Sequence, residues 1–173
     1  FYITGGWGTG TVSGGLTMSA CSTDRNDKDG VYIDATGNGQ IVISGMMTRR
    51  DGRNNGSGGA GYAGFTVNGA TMPVVIESLV NYPGVDDGGS GTNSPEIGFR
   101  AVNATYVSVA SGYLHANTTI WSDGGGNTLL VRGPNVIGAT GSTSSPTRGT
   151  SPYTILTKTA IAKISGGATQ WGI

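Results

Sequence analysis

The residues best equipped for chemistry sit in one stretch, Thr48 to Ala70, "TRRDGRNNGSGGAGYAGFTVNGA". Arg49, Arg50 and Arg53 crowd around a single Asp, and a run of Gly, Asn and Ser follows. Guanidinium forks match carboxylates and vicinal hydroxyls, and Tyr62 nearby offers a ring face for a sugar. A second polar run, Gly84 to Asn93, carries Asp86 and Asp87. With the "SDGGGN" turn (Ser122 to Asn127), these residues predict an exposed recognition surface: ligand-binding candidates Arg49, Arg50, Arg53, Tyr62, Asp86 and Asp87. The competing reading is that the arginines are solvated or bridge subunits.

Other chemistries find less. A Ser-His-Asp triad needs a His; His115 is the only one and lies at the end of a strand-like run, which predicts a surface or interface imidazole. No Gly-x-Ser-x-Gly elbow exists. Glycoside hydrolysis needs two carboxylates across a cleft. Many of the acids here lie in Gly-flanked turns, where Asp is ordinarily a turn former. Glu77, inside "VVIES", is the exception, with solvent or Arg100 or Arg132 as its expected partner. No catalytic residue is therefore assigned, and the chain is read as a non-enzyme. "DRNDKDG" makes Asp24, Asn26, Asp27 and Asp29 a weak calcium candidate, although it departs from the EF-hand spacing. One Cys and one His cannot close a structural zinc site, and no Gly-Lys-Ser/Thr phosphate loop is present. No cofactor is expected. Cys21 stands alone and reads as a buried thiol.

The elements that would hold these residues are short and extended. Gly is 33 of 173 residues, against a glycine cost of about 1 kcal/mol in a helix. Val, Ile and Thr also favour strands. Roughly ten segments, among them "GVYID", "GQIVISGMM", "GYAGFTV", "MPVVIESLV", "EIGFRAV" and "TYVSVASGYLHA", lie between Gly-rich turns. Asn68-Gly69 predicts a hairpin. In "GQIVISGMM", a visible but imperfect alternation puts Ile41, Ile43, Gly45 and Met47 on one face and Val42, Ser44 and Met46 on the other, and interior strand glycines such as Gly45, Gly64 and Gly98 suggest bulges or close backbone approach. Apolar residues on both faces predict a strand covered on both sides, one of them by a neighbouring subunit. The chain is read as a single domain over residues 1–173, with 133–152 a linker-like surface loop and 153–173 a returning strand. No repeat of 20 to 50 residues is read from the sequence.

Charge narrows the partners. Only 12% of residues are charged and the formal net charge is zero, which argues against nucleic acid as a partner. No run approaches the length of a membrane helix, so no membrane insertion is expected. Residue 1 is Phe, which fits a processed chain or a piece of a longer one.

Residues 30 to 76, "GVYIDATGNGQIVISGMMTRRDG…GYAGFTVNGATMPVVI", resemble a strand-loop-strand unit of a jelly-roll head, as in trimeric C1q/TNF-like domains and phage tail-fibre or receptor-binding tips. The Gly/Thr/Ser/Asn-rich, Cys-poor composition is similar to that of phage and virion fibre proteins. The resemblance implies an all-β, jelly-roll-like β-sandwich with long Gly-rich loops. It further implies a homotrimer in a virion or on an extracellular surface appendage, associated with other virion or fibre proteins and adhering to a host-surface glycan or receptor. The alternatives are a purely structural fibre, capsid or filament subunit without a ligand of its own, and a secreted carbohydrate-binding module.

Overall fold

Strand-forming residues become strands here, but neighbours in sequence do not pair. A computed structural model describes residues 1–8, 13–53, 61–84, 94–140 and 147–148. Its strands are β1 (Tyr2–Ile3), β2 (Gly6–Trp7), β3 (Gly14–Asp24), β4 (Val31–Ile33), β5 (Thr36–Gly37), β6 (Gly39–Arg49), β7 (Ala63–Asn68), β8 (Val74–Ile76), β9 (Leu79–Tyr82), β10 (Ile97–Val102), β11 (Tyr106–Ala116), β12 (Thr119–Asp123), β13 (Leu129–Thr140) and β14 (Thr147–Arg148). No helix occurs among the described residues. A two-stranded sheet pairs β2 with β5, and of the two larger sheets one has the order β1-β4-β7-β10-β12. The other runs β14-β13-β11-β8-β6-β3, with β9 between β6 and β11. The chain therefore visits the two sheets alternately, and each visit stacks on the previous one. Every ladder between these strands is parallel except β13 with β14. The result is a coil of stacked turns, a β-solenoid.

The all-β expectation holds. The antiparallel pairing of a jelly roll is not what joins these strands. The Asn68-Gly69 hairpin does not form: β7 pairs with β4 and β10, never with β8. Gly69, at φ +72, turns the chain from one wall to the next, and its N–H donates to the Val102 carbonyl in the following turn of the coil at 2.9 Å. A pairing with the next coil satisfies the backbone as fully as a hairpin, and periodicity alone cannot tell the two apart.

The second sheet bends at one level in every coil. Ala20 (φ +52) and Gly45 (φ +74) form stacked bulges in β3 and β6, β8 and β9 are separated there, and β11 shifts register between Val109 and Ser111. A bulge kinks a strand and inverts the alternation beyond it. The bulge suggested at Gly45 is present, and the faces read for "GQIVISGMM" are corrected beyond it: Ile41, Ile43, Met46 and Thr48 point inward and are buried, while Met47 is exposed. A solenoid covers the inner face of each strand with its own core.

Rows of like residues fill that core. Ile41, Val74, Val107 and Leu130 are in register, as are Val31, Phe65, Phe99 and Trp121. The ring centroids of Phe65 and Phe99 are 5.9 Å apart and those of Phe99 and Trp121 4.5 Å. Arg132 ends the inward row with its guanidinium 5.5 Å from the Trp121 ring centroid; burial lowers its pKa. Residues 133–140, read as surface loop, belong to β13. The expected returning strand, 153–173, lies outside the described residues.

A repeat is present after all. "GVYID", "GFTVN" and "GFRAV" begin at Gly30, Gly64 and Gly98, 34 residues apart each time. Each is followed by Ala-Thr, at Ala35-Thr36, Ala70-Thr71 and Ala104-Thr105. The three alanines are buried, and Thr71 and Thr105 donate their N–H groups to Ala35 and Ala70 of the coil before. The glycines sit against an internal polar row. A Cβ at Gly64 would collide with Asn81 Nδ2 and lie 2.6 Å from Thr48 Oγ1; one at Gly30 would collide with Asp51 Oδ2.

Candidate functional site

Because the coils stack, the connections leaving the bent sheet stack too. Segments 25–30, 50–62, 83–96 and 117–118 all lead from that sheet to the flat one, at one corner of the solenoid. The described flanks of these segments meet there: Gly52 and Arg53 donate to the Lys28 and Asn26 carbonyls, Arg50 to that of Tyr82, and Gly84 pairs with Ser94. Residues 54–60 and 85–93, with both Asp86 and Asp87, lie outside the described residues.

Two left-handed residues turn the chain here, Arg25 (φ +61) and Arg50 (φ +50). Their N–H groups extend the parallel ladder by one step, to the Arg49 carbonyl at 3.0 Å and the Tyr82 carbonyl at 2.9 Å. The geometry directs the side chains of Arg49 and Arg50 back to the first coil. Asp24 accepts from Arg49 Nη2 at 2.7 Å and from Arg50 Nε and Nη2 at 2.9 and 2.6 Å, with Arg25 Nε 3.7 Å away. The Arg50 hydrogen bonds, then those of Arg49, hold Asp24 at a pKa of about 2 against its partial burial. The Asp inside "RRDGR" has a different task. Asp51 is fully buried and accepts from Thr23 Oγ1 (2.6 Å), Asn26 N (3.0 Å), Asn26 Nδ2 (2.6 Å) and Arg49 N (3.2 Å). It staples two loops of the corner together. Arg53 reaches the Arg25 carbonyl at 3.5 Å.

The calcium candidate is dispersed by these bonds. Asp24 faces the arginines and Asn26 donates to Asp51, while Asp29 turns toward the flat sheet. There it accepts from Ala63 N at 2.7 Å and Thr66 Oγ1 at 3.0 Å, with Arg100 Nη2 at 3.4 Å. Burial raises the Asp29 pKa, and these donors oppose the rise. No group of three potential metal ligands gathers among the described residues.

Two concavities flank the corner. On the flat-sheet side, a cavity of about 480 Å³ is lined by Tyr2, Tyr32 and Tyr62, with Asn26, Asp27 and Lys28 among its polar groups. The rings of Tyr2 and Tyr32 stack at 5.0 Å and 10°, and the Tyr32 hydroxyl accepts from Asn68 Nδ2 at 2.8 Å. On the bent-sheet side, a groove of about 530 Å³ is lined by Met47, Arg49, Arg50, Tyr82 and Pro83. Tyr82 leans on Tyr113 (5.7 Å), whose ring meets His115 edge-on (5.9 Å).

The six residues singled out in the sequence are therefore divided. Arg49 and Arg50 line the groove, Tyr62 lines the cavity and Arg53 lies by the loop between. The "SDGGGN" turn is elsewhere, at the corner on the other edge of the flat sheet: Asp123 Oδ1 accepts from Gly125 N and Asn127 Nδ2, and Asn127 Oδ1 from Ala104 N. Glu77 is exposed in the break between β8 and β9, and Arg100 and Arg132 are engaged elsewhere. Cys21 is half-buried rather than buried, on the inward row of the edge strand β3. The sequence reading missed Tyr2, Tyr32 and Tyr82. The 34-residue spacing of Gly30 and Gly64 was the available signal, since it stacks Tyr32 on Thr66 and reveals Tyr2 as the rung before. Comparison of the chain with family models, curated proteins and solved structures gave no match.

Proposed function

We propose that the chain is an adhesive module of a virion or extracellular surface appendage, presenting its loop corner to a host-surface glycan. The observation that carries this reading is the cavity bounded by Tyr2, Tyr32 and Tyr62. Sugar rings present C–H faces that suit aromatic surfaces, and a few convergent polar groups then fix orientation. Asn26, Asp27 and Lys28 supply such groups at the rim. A rigid scaffold with loops stacked at one corner is suited to display. The reading is of binding without catalysis: Asp24 and Asp29 are each committed to arginine or backbone donors. Attachment to a surface is all that it takes from the resemblance to fibre heads; the jelly-roll architecture is not needed.

Assembly as a homotrimer with other fibre proteins belongs to the same proposal. Its support is the outward row Val42, Val75, Ser108 and Val131, three valines and a serine partly exposed on the bent sheet. Native mass spectrometry gives a trimer on this reading and a lone monomer against it. For the ligand, a glycan array of the full chain beside Tyr2→Ala and Tyr62→Ala variants is decisive. The wild type binds a defined set of glycans and both variants lose that binding. A wild type that binds nothing, with assembly intact, returns the chain to a purely structural subunit.

A further inference from the structure

We infer that the groove between Met47 and Pro83 is a second subsite, specific for a carboxylate-bearing sugar such as a hexuronate. The inference rests on the reading that this corner binds glycans, and it names the class of glycan. Charge comes first. At the groove itself, Arg25, Arg49 and Arg50 converge on the single carboxylate of Asp24. Asp51 is sealed beneath the loops by Thr23 and Asn26. In a chain of zero net charge this is a local positive surplus, and it favours an anion.

Shape and apolar surface select which anion. Arg49 keeps 44% of its side chain exposed while donating to Asp24. Beside it Tyr82 and Met47 are 42% and 37% exposed, the two large apolar side chains of the outer wall left most open. Arg49 and Tyr82 are direct partners across the β6–β9 ladder, and Met47 pairs with Val80 one outward position earlier. Tyr113 braces the Tyr82 ring from the next coil. A guanidinium and a braced aromatic face at adjoining positions match a pyranose ring carrying a carboxylate: the ring lies on Tyr82 and Met47, and the carboxylate takes charge-assisted N–H bonds from Arg49. Arg49 and Arg50 already hold a carboxylate of their own, that of Asp24, in the same way.

The test is calorimetry of the full chain with oligogalacturonate, with the same oligosaccharide after reduction of its carboxyl groups to alcohols, and with a sulfated neutral oligosaccharide. The uronate form is expected to bind about tenfold or more tightly than the reduced form, the size of one charge-assisted bond, and to weaken with added salt. Tyr82→Ala and Arg49→Gln each abolish the preference. Arg50 still holds Asp24 in the second variant, and circular dichroism confirms the fold of both. Methyl NMR supplies an independent readout, because uronate shifts the Met47 signal in the wild type and not in Tyr82→Ala. Equal binding of the uronate and reduced forms overturns the inference while leaving glycan binding in place. Tighter binding of the sulfated sugar overturns the choice of carboxylate. Absence of binding to all three, with no glycan found on the array, overturns both readings.

Discussion

Gly64→Ala probes the internal corner that holds every loop in place. The added Cβ would collide with Asn81 Nδ2 and approach Thr48 Oγ1 to 2.6 Å, where a 2.6 Å hydrogen bond now joins these two fully buried side chains. Relief requires a backbone shift, about 1–3 kcal/mol for overpacking, together with rupture of the bond, about 1–3 kcal/mol for a buried polar group stranded. The combined expectation is a loss of about 4 kcal/mol. With a urea m-value of about 2 kcal/mol per M, the midpoint falls by about 2 M. Gly69→Ala is the control: its Cβ meets nothing within 4 Å, so the φ of +72 is its only cost, about 1 kcal/mol. Asn81→Ala completes the test. In that background the collision is gone, so Gly64→Ala costs about half as much and the double-mutant cycle shows coupling of about 2 kcal/mol. A Gly64→Ala protein no less stable than Gly69→Ala, or additive with Asn81→Ala, would refute the packing argued here.

Phe99→Ala removes the middle ring of the Phe65–Phe99–Trp121 stack and costs about 4 kcal/mol in urea unfolding. Gly39→Ala drives a Cβ into the Gly14 carbonyl oxygen at φ +140, where only backbone can yield, so its midpoint falls at least as far as that of Gly64→Ala. Asp24 has a folded pKa of about 2 against 3.8 for the free side chain, so the folded state holds fewer protons. Its stabilisation is complete above the higher value and lost as pH falls through the lower one. Partial solvent exposure limits it to about 1 kcal/mol; Asp24→Asn is less stable than wild type by that amount at pH 7, and the difference narrows as pH falls from 4 toward 2 and closes only below the folded pKa.

Strand content, the absence of helix among the described residues and the turn at Asp123 were legible because they follow from local chemistry: glycine, β-branching and Asx turns act within a few residues. Strand partners were not. Asn68-Gly69 carries the local signature of a hairpin, yet Gly69 bonds to Val102 of the next coil. Gly45, an interior strand glycine, did mark a bulge; what the alternation count missed was its consequence, the turning of Met46 inward. The three blocks that run from Gly30, Gly64 and Gly98 to an Ala-Thr pair share few identities because most core positions ask only for an apolar residue; the glycines and alanines that must fit beneath a polar row or a neighbouring backbone are what persist. At the candidate site, the arginines were visible as an unusual cluster. Their carboxylate partner was not, since Asp24 is 25 positions from Arg49 and becomes its neighbour only through the register of β3 on β6.

The central claim is parallel stacking of successive coils, for it alone brings the loops and tyrosines to one corner. Interstrand NOEs on the isotope-labelled chain test it most directly. The account predicts cross-peaks between Tyr32 and Thr66 and between Thr66 and Arg100 in a parallel pattern, and none across Asn68-Gly69 between β7 and β8. An antiparallel ladder joining Ala63–Asn68 to Val74–Ile76 would contradict it.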